Sequence, residues 1–197
     1  MTLITGMTGS GKSTFALRYL VNAAAACCFI FDDLGRAATR LGVNPCYTAH
    51  QIEAALATRR VIFNPWKMFD DGKMAFRWFC QWVYDASVRG PGKKLFLVDE
   101  IWQWQTNQQI PPELAKVAQA GREENIELVC ATQLPHRINA SITGQTTELV
   151  CFRLNERLAL DCIADLGAAR EKVSQLPLGS FLSYNRLLPG SLAGKVF

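Results

Sequence analysis

The sequence is poor in several features, and each shortage excludes a class of protein. No apolar run approaches the roughly 18–20 residues that span a bilayer as a helix. The longest, residues 21–31, reads as a helix end followed by a buried strand. Only 8 of the 197 residues are proline, and the 14 glycines are scattered, which excludes collagen-like and mucin-like sequence. There are two histidines, His50 and His136, far apart in the chain. The seven cysteines include no Cys-x-x-Cys pair, and a zinc centre needs clustered ligands. No basic segment precedes the first strand-like residues, so no signal peptide is expected.

What is present points to a folded, soluble chain. Hydrophobic residues make up 49% and charged residues 19%, far from the composition of disorder. The length suits a single domain, 1–197, with a substantial core. Most cysteines sit in strand-like runs (CCFIF, ELVC, ELVCF) and read as small buried hydrophobes, as expected in a reducing cytoplasm. The net charge of +4 permits nucleic-acid binding without requiring it.

Short apolar runs recur at 2–5, 27–31, 61–63, 95–98, 128–131 and 149–152, each bounded by turn residues. Helical spacing fills the intervals 12–23, 50–58, 73–88, 112–120 and 155–166, and one or two closing strands are expected at 179–184 and 194–197. Strands apolar on both faces that alternate with helices predict a mostly parallel sheet flanked by helices. Gly90-Pro91-Gly92, Pro111-Pro112 and Pro189-Gly190 punctuate the chain between elements. The stretch 74–88, with Met74, Phe76, Trp78, Phe79, Trp82, Val83 and Tyr84, is apolar almost all round. It reads as a core helix, or alternatively as an aromatic platform for nucleic acid.

Residues 6–13 read GMTGSGKS and satisfy G-x-x-x-x-G-K-[ST], between a hydrophobic strand and a helix. The residue types follow from phosphate chemistry. Gly6, Gly9 and Gly11 let the backbone wrap an anion, and Met7, Thr8 and Ser10 present amides from the same loop. The positive end of the following helix, at Ser13 and Thr14, lies beneath that anion. Lys12 supplies a positive charge for the β- and γ-phosphates, and Ser13 supplies a hydroxyl for Mg²⁺. The implied cofactors are ATP and Mg²⁺.

A second apolar run, 95–98, ends in Asp99-Glu100. Asp99 at the strand tip is the candidate for the Mg²⁺ shell, and Glu100 the candidate base for an attacking water. A built-in base suits an ATPase better than a small-molecule kinase, which must shield its triphosphate from water. No Asn-Lys-x-Asp motif for guanine is present.

The block 112–139, PELAKVAQAGREENIELVCATQLPHRIN, resembles the FtsK–HerA superfamily of DNA-pumping motors, in which a helix ends in Gly-Arg and Thr-Gln stands at the tip of the next strand. The likeness extends through TTELVCFRL at 146–154 and LPLGSFL at 176–182. It implies an α/β, three-layer P-loop NTPase fold of the RecA/ASCE type. The strand that carries the sensor would lie between the two phosphate-site strands. Gln133 would then sense the γ-phosphate, and Arg122 would be an arginine finger from a neighbouring subunit, with Arg153 as its rival. The alternative for Arg122 is a surface salt bridge with Glu123 or Glu124.

Within the superfamily the chain looks most like the compact genome-packaging ATPases of viruses with an internal membrane. That likeness implies a homo-oligomeric ring, pentameric or hexameric, acting on double-stranded DNA. It also implies a capsid-vertex or membrane protein as partner, with the chain in the host cytoplasm or at the virion vertex. Two other readings stay open: a phage-assembly or secretion ATPase of the zonula-occludens-toxin type, and a small-molecule kinase. The loop 101–109, IWQWQTNQQ, departs from the family pattern; it reads as a specialised surface, or as a segment with at least one tryptophan in the core. DNA contact is weakly marked, by Arg59 and Arg60 and by Arg89, Lys93 and Lys94 around a Gly-Pro-Gly turn.

Overall fold

A computed structural model of the chain describes residues 1–188 and 190–197. Pro189, one of the turn signals, lies outside the described residues. The strands are β1 (Thr2–Thr5), β2 (Cys27–Phe31), β3 (Arg60–Phe63), β4 (Lys94–Val98), β5 (Ile126–Thr132), β6 (Glu148–Phe152), β7 (Ser180–Asn185) and β8 (Leu192–Lys195). They form one sheet in the order β3-β2-β4-β5-β1-β6-β7-β8. The pairs β1–β5, β1–β6, β2–β3 and β2–β4 are parallel, whereas β6–β7 and β7–β8 are antiparallel. Parallel pairing requires long crossovers, and the helical intervals supply them. The helices are α1 (Lys12–Asn22), α2 (Arg36–Leu41), α3 (Ala49–Ala55), α4 (Gly72–Arg89), α5 (Pro112–Ala120), α6 (Ala140–Thr143), α7 (Arg157–Asp165) and α8 (Arg170–Ser174).

The expected order of elements is observed, and β5 lies between β4 and β1 as the resemblance implies. Boundaries differ where backbone pairing outruns the apolar run: β4 starts at Lys94 and β5 covers seven residues. Lys94 is buried in spite of its charge because its ammonium donates to the carbonyls of Ser87 (2.9 Å), Glu124 (3.1 Å) and Gly90. Three acceptors match the three ammonium protons, which offsets the cost of removing the charge from water. The six-residue α2 has no apolar stripe long enough to announce it. It is started by the buried Asp32, whose carboxylate accepts from the amides of Ala37 (3.0 Å) and Ala38 (2.8 Å).

The residues group into two compact units. One comprises 1–18, 100–110 and 129–197; the other comprises 19–99 and 111–128. In the second unit α4 opens on Asp71, whose side chain accepts from the amides of Lys73 and Met74. Its Phe76, Phe79, Cys80 and Val83 are wholly buried. Ring centroids of Phe79 lie 5.0 Å from Phe63 and 5.7 Å from Phe96, and Trp82 stacks on Phe79 at 5.7 Å. Aromatic pairs of this kind contribute about 0.5–1.5 kcal/mol each beyond their burial. The aromatic residues of α4 therefore build core, and only Met74 and Val88 among its large apolar side chains are mostly exposed.

In the same unit the basic residues around Gly90-Pro91-Gly92 are engaged within the chain. Arg89 pairs with Glu53 at 2.9 Å, Lys93 pairs with Glu127 at 2.6 Å, and Lys94 is buried. Arg59 stays exposed and Arg60 is half-buried.

Six of the seven cysteines are buried and Cys162 is half-buried. Burial pushes the Cys27 thiol up to about 11, and the thiols of Cys130 and Cys151 higher still. The thiolate is the reactive form, so these groups are inert near neutrality. Titration of the native chain with a disulfide reagent at pH 8 is expected to find no rapidly reacting thiol except Cys162, and all seven after denaturation.

Candidate functional site

The phosphate loop leaves β1 at the level where its two neighbours end, since Thr5 pairs with Thr132 of β5 and with Cys151 of β6. The amide of Gly6 donates to the carbonyl of Thr132 (3.3 Å) and that of Met7 to the carbonyl of Arg153 (2.8 Å), which ties the loop to both strand tips. Gly6 has no room for a side chain, because a Cβ there would lie 2.5 Å from the Cβ of Phe152 and 2.7 Å from Oγ of Ser10. Gly11 has φ +106°, which other residues avoid, and its open side faces the Phe152 ring. Ser10 is buried, and its hydroxyl has no hydrogen-bond partner among the described residues. A glycine-shaped cradle with an unpartnered buried hydroxyl fits a phosphate group.

Gly6→Ala therefore overpacks the site against the Phe152 Cβ, which is fixed to its backbone and cannot swing aside. The expected cost is about 1–3 kcal/mol. Thermal unfolding is expected to drop by roughly 2–4 °C for each kcal/mol in a chain of this size.

Lys12 opens α1, is 6% exposed, and its Nζ lies 3.4 Å from Oε1 of Glu100. Ser13 and Thr14 follow in the first helical turn, both half-buried. Glu100 stands one residue after Asp99, which follows β4, and adopts φ 47°, ψ 50°. That left-handed conformation costs a non-glycine residue roughly 1–3 kcal/mol and persists only where surrounding contacts hold it. The contacts are specific. Oε1 of Glu100 accepts from Nε2 of Gln133 (3.0 Å), while Oε2 accepts from the Gln133 amide (3.1 Å) and from the Trp102 indole (2.9 Å). The hydroxyl of Thr8 donates to Oε1 of Gln133 at 2.6 Å. A continuous chain of contacts thus runs from the phosphate loop through Gln133 to Glu100 and back to Lys12.

The structure brings together Gly6, Met7, Thr8, Gly9, Ser10, Gly11, Lys12, Glu100 and Gln133 within one compact unit. Asp99 belongs to the other unit, where Asp33 lies close enough for burial, Asp32 and Asp99 together to raise its carboxyl. Arg122 is exposed in the turn between α5 and β5, and no ion pair with Glu123 or Glu124 forms among the described residues. Arg153 directs its Nε toward Oδ1 of Asn155 (3.4 Å) while its carbonyl holds the loop.

Two side chains were not read as parts of the site from sequence: Trp102, on the acidic residue, and Phe152, beneath the loop. The only signal for Trp102 was an aromatic residue two positions after Glu100. Of the tryptophans in loop 101–109, Trp104 is buried.

No protein-family model and no curated protein matches the sequence. Solved structures do match. The genome-packaging NTPase B204 of Sulfolobus turreted icosahedral virus 2, in complex with ATP-gammaS, has a TM-score of 0.77 at 21% identity, over 99% of this chain and 96% of that one. The same protein with AMPPCP has a TM-score of 0.79 at 18% identity, with the same coverage. VirB4 of Thermoanaerobacter pseudethanolicus has a TM-score of 0.69 at 10% identity, over 98% of this chain and 88% of that one. The chain thus has the α/β P-loop NTPase fold that it shares with a viral genome-packaging NTPase and with VirB4.

Proposed function

We propose that this chain hydrolyses ATP at the loop 6–14 and uses the energy to move double-stranded DNA through a homo-oligomeric ring, packaging a viral genome into a preformed capsid. The observation that carries the ATPase part is the contact chain from Thr8 through Gln133 and Glu100 to Lys12. It links a phosphate cradle, a polar group able to sense the γ-phosphate and a carboxylate able to accept a proton from water. In this reading Gly6 to Thr14 hold the phosphates. Ser13 and Asp99 hold Mg²⁺, which neutralises charge on the phosphate oxygens when bound.

Lys12 changes partner on this reading. Its ammonium turns from Glu100 to the phosphates, and Glu100 then orients water. Arg122 is exposed and forms no ion pair among the described residues, which leaves its guanidinium available to a neighbouring subunit. On the resemblance to the FtsK–HerA motors, Arg122 serves the site of the neighbouring subunit. This is the reading that requires a ring.

DNA as the cargo is supported by the likeness in fold to a packaging NTPase over almost the full length of both chains. Contact with phosphates rather than bases suffices for a motor, and Arg59 and Arg60 are the basic pair left for it. A second reading, an assembly or secretion ATPase, is favoured by the likeness to VirB4. ATP turnover measured with linear duplex DNA and with vesicles or coat protein separates the two. Stimulation by DNA alone supports packaging, and stimulation by the other components alone supports secretion.

A further inference from the structure

We propose that Trp102 is a positioning residue for Glu100, anchoring one carboxylate oxygen so that the other is presented to the attacking water; this rests on the ATPase reading. The two oxygens of Glu100 have partners of different kinds. Oε1 is held by the Lys12 ammonium and the Gln133 side-chain amide, both of which are groups that reach toward phosphate. Oε2 is held by the backbone amide of Gln133 and by the indole of Trp102, neither of which is free to follow a nucleotide. When a triphosphate draws Lys12 and the Gln133 side chain to itself, Oε1 is released from both while Oε2 stays fixed. The carboxylate therefore cannot rotate away, and Oε1 takes the water proton as the water oxygen attacks the γ-phosphorus and the ADP oxygen leaves.

The indole is itself braced. The Arg137 guanidinium lies 5.5 Å from the centre of the Trp102 ring, within cation–π range. Gln105, 6% exposed, donates to the carbonyl of Arg137 (3.1 Å) and accepts from the amide of Asn139 (2.8 Å), which fastens loop 101–109 to the segment after Gln133. Ile101 and Trp104 are buried on either side of Trp102. The tryptophan- and glutamine-rich loop thus has a physical purpose: it holds one N–H at the back of Glu100.

The test is Trp102→Phe, which keeps the ring and removes the N–H. Loss of a hydrogen bond to a charged group predicts a fall in kcat of about 10- to 100-fold. KM for ATP and affinity for AMPPCP are expected to stay within about twofold, since an orienting contact acts on the chemical step. The AMPPCP affinity also verifies that the variant folds. In the wild-type chain the ¹⁵N–¹H signal of the Trp102 indole, assigned by its absence in Trp102→Phe, is expected to keep its hydrogen-bonded position when AMPPCP binds and to move upfield in Glu100→Ala. A Trp102→Phe enzyme with wild-type kcat beside an inactive Glu100→Gln overturns this inference and leaves the ATPase reading intact. An equal loss of kcat and of AMPPCP affinity reduces Trp102 to a structural role and overturns it too. Equal hydrolysis by wild type and Glu100→Gln removes Glu100 as the base and overturns this inference while the ATPase reading stands; no hydrolysis by the wild type overturns the ATPase reading itself.

Discussion

Glu100→Gln is expected to lower ATP turnover by about 10²- to 10⁴-fold, the range that a positioned general base contributes. The substitution is nearly isosteric, so Trp102 and the Gln133 amide retain an oxygen to bind, and the loop is not disturbed. The expected effect on binding has the opposite sign. The Glu100 carboxylate lies 3.4 Å from Nζ of Lys12 and competes with a triphosphate for that charge. Without the carboxylate the ammonium goes to the phosphates unopposed, so AMPPCP is expected to bind at least as tightly as in wild type. Calorimetric titration beside a turnover assay checks both halves. Weaker nucleotide binding with unchanged turnover would assign Glu100 a structural task only.

Arg122→Ala is expected to lower turnover by about 10³- to 10⁵-fold, the contribution of an arginine finger supplied in trans. Its placement distinguishes this from an ordinary surface arginine. It is exposed and forms no ion pair among the described residues, whereas Arg89, Arg77 and Arg170 each hold a carboxylate. A cation that stabilises no carboxylate in its own chain loses little stability on removal, so melting temperature is expected to change little. The decisive form of the experiment is mixing. Arg122→Ala subunits titrated into wild type at fixed total concentration are expected to depress activity more steeply than their mole fraction, because each removes the finger from a competent neighbour. A linear decline would show that each subunit completes its own site, and Arg153, which flanks the phosphate loop in the same unit, would then be the arginine to vary.

What could be read from sequence follows from how local the governing physics is. The phosphate loop is local: strand, glycines, lysine and helix occur in consecutive order, and the observed cradle needs nothing from elsewhere to be recognised. The runs at β1 and β2 are equally local, being apolar on both faces, and their boundaries were read as observed. Gln133 was singled out only through the resemblance, as the glutamine of Thr-Gln at a strand tip, and its hydrogen-bond partners, Thr8 and Glu100, are 125 and 33 residues away. Trp102 illustrates the limit. Its composition allowed a core or surface reading, while its function lies in the direction of one N–H, which depends on the left-handed backbone of Glu100. Lys94 illustrates another: a lysine in a strand reads as a solvated end, and only the three carbonyls that converge on it explain its burial. The pairing of the basic turn at 89–94 was hidden for the same reason, since Glu53 and Glu127 come from distant segments to meet Arg89 and Lys93.

The central claim is a ring motor whose sites are completed between subunits and whose cargo is duplex DNA. ATP turnover per subunit, followed over a hundredfold range of protein concentration with and without linear double-stranded DNA, tests it most directly. The account predicts turnover per subunit that rises with concentration as rings assemble, and rises again when DNA is added. Turnover per subunit that is constant across that range and indifferent to DNA would contradict it.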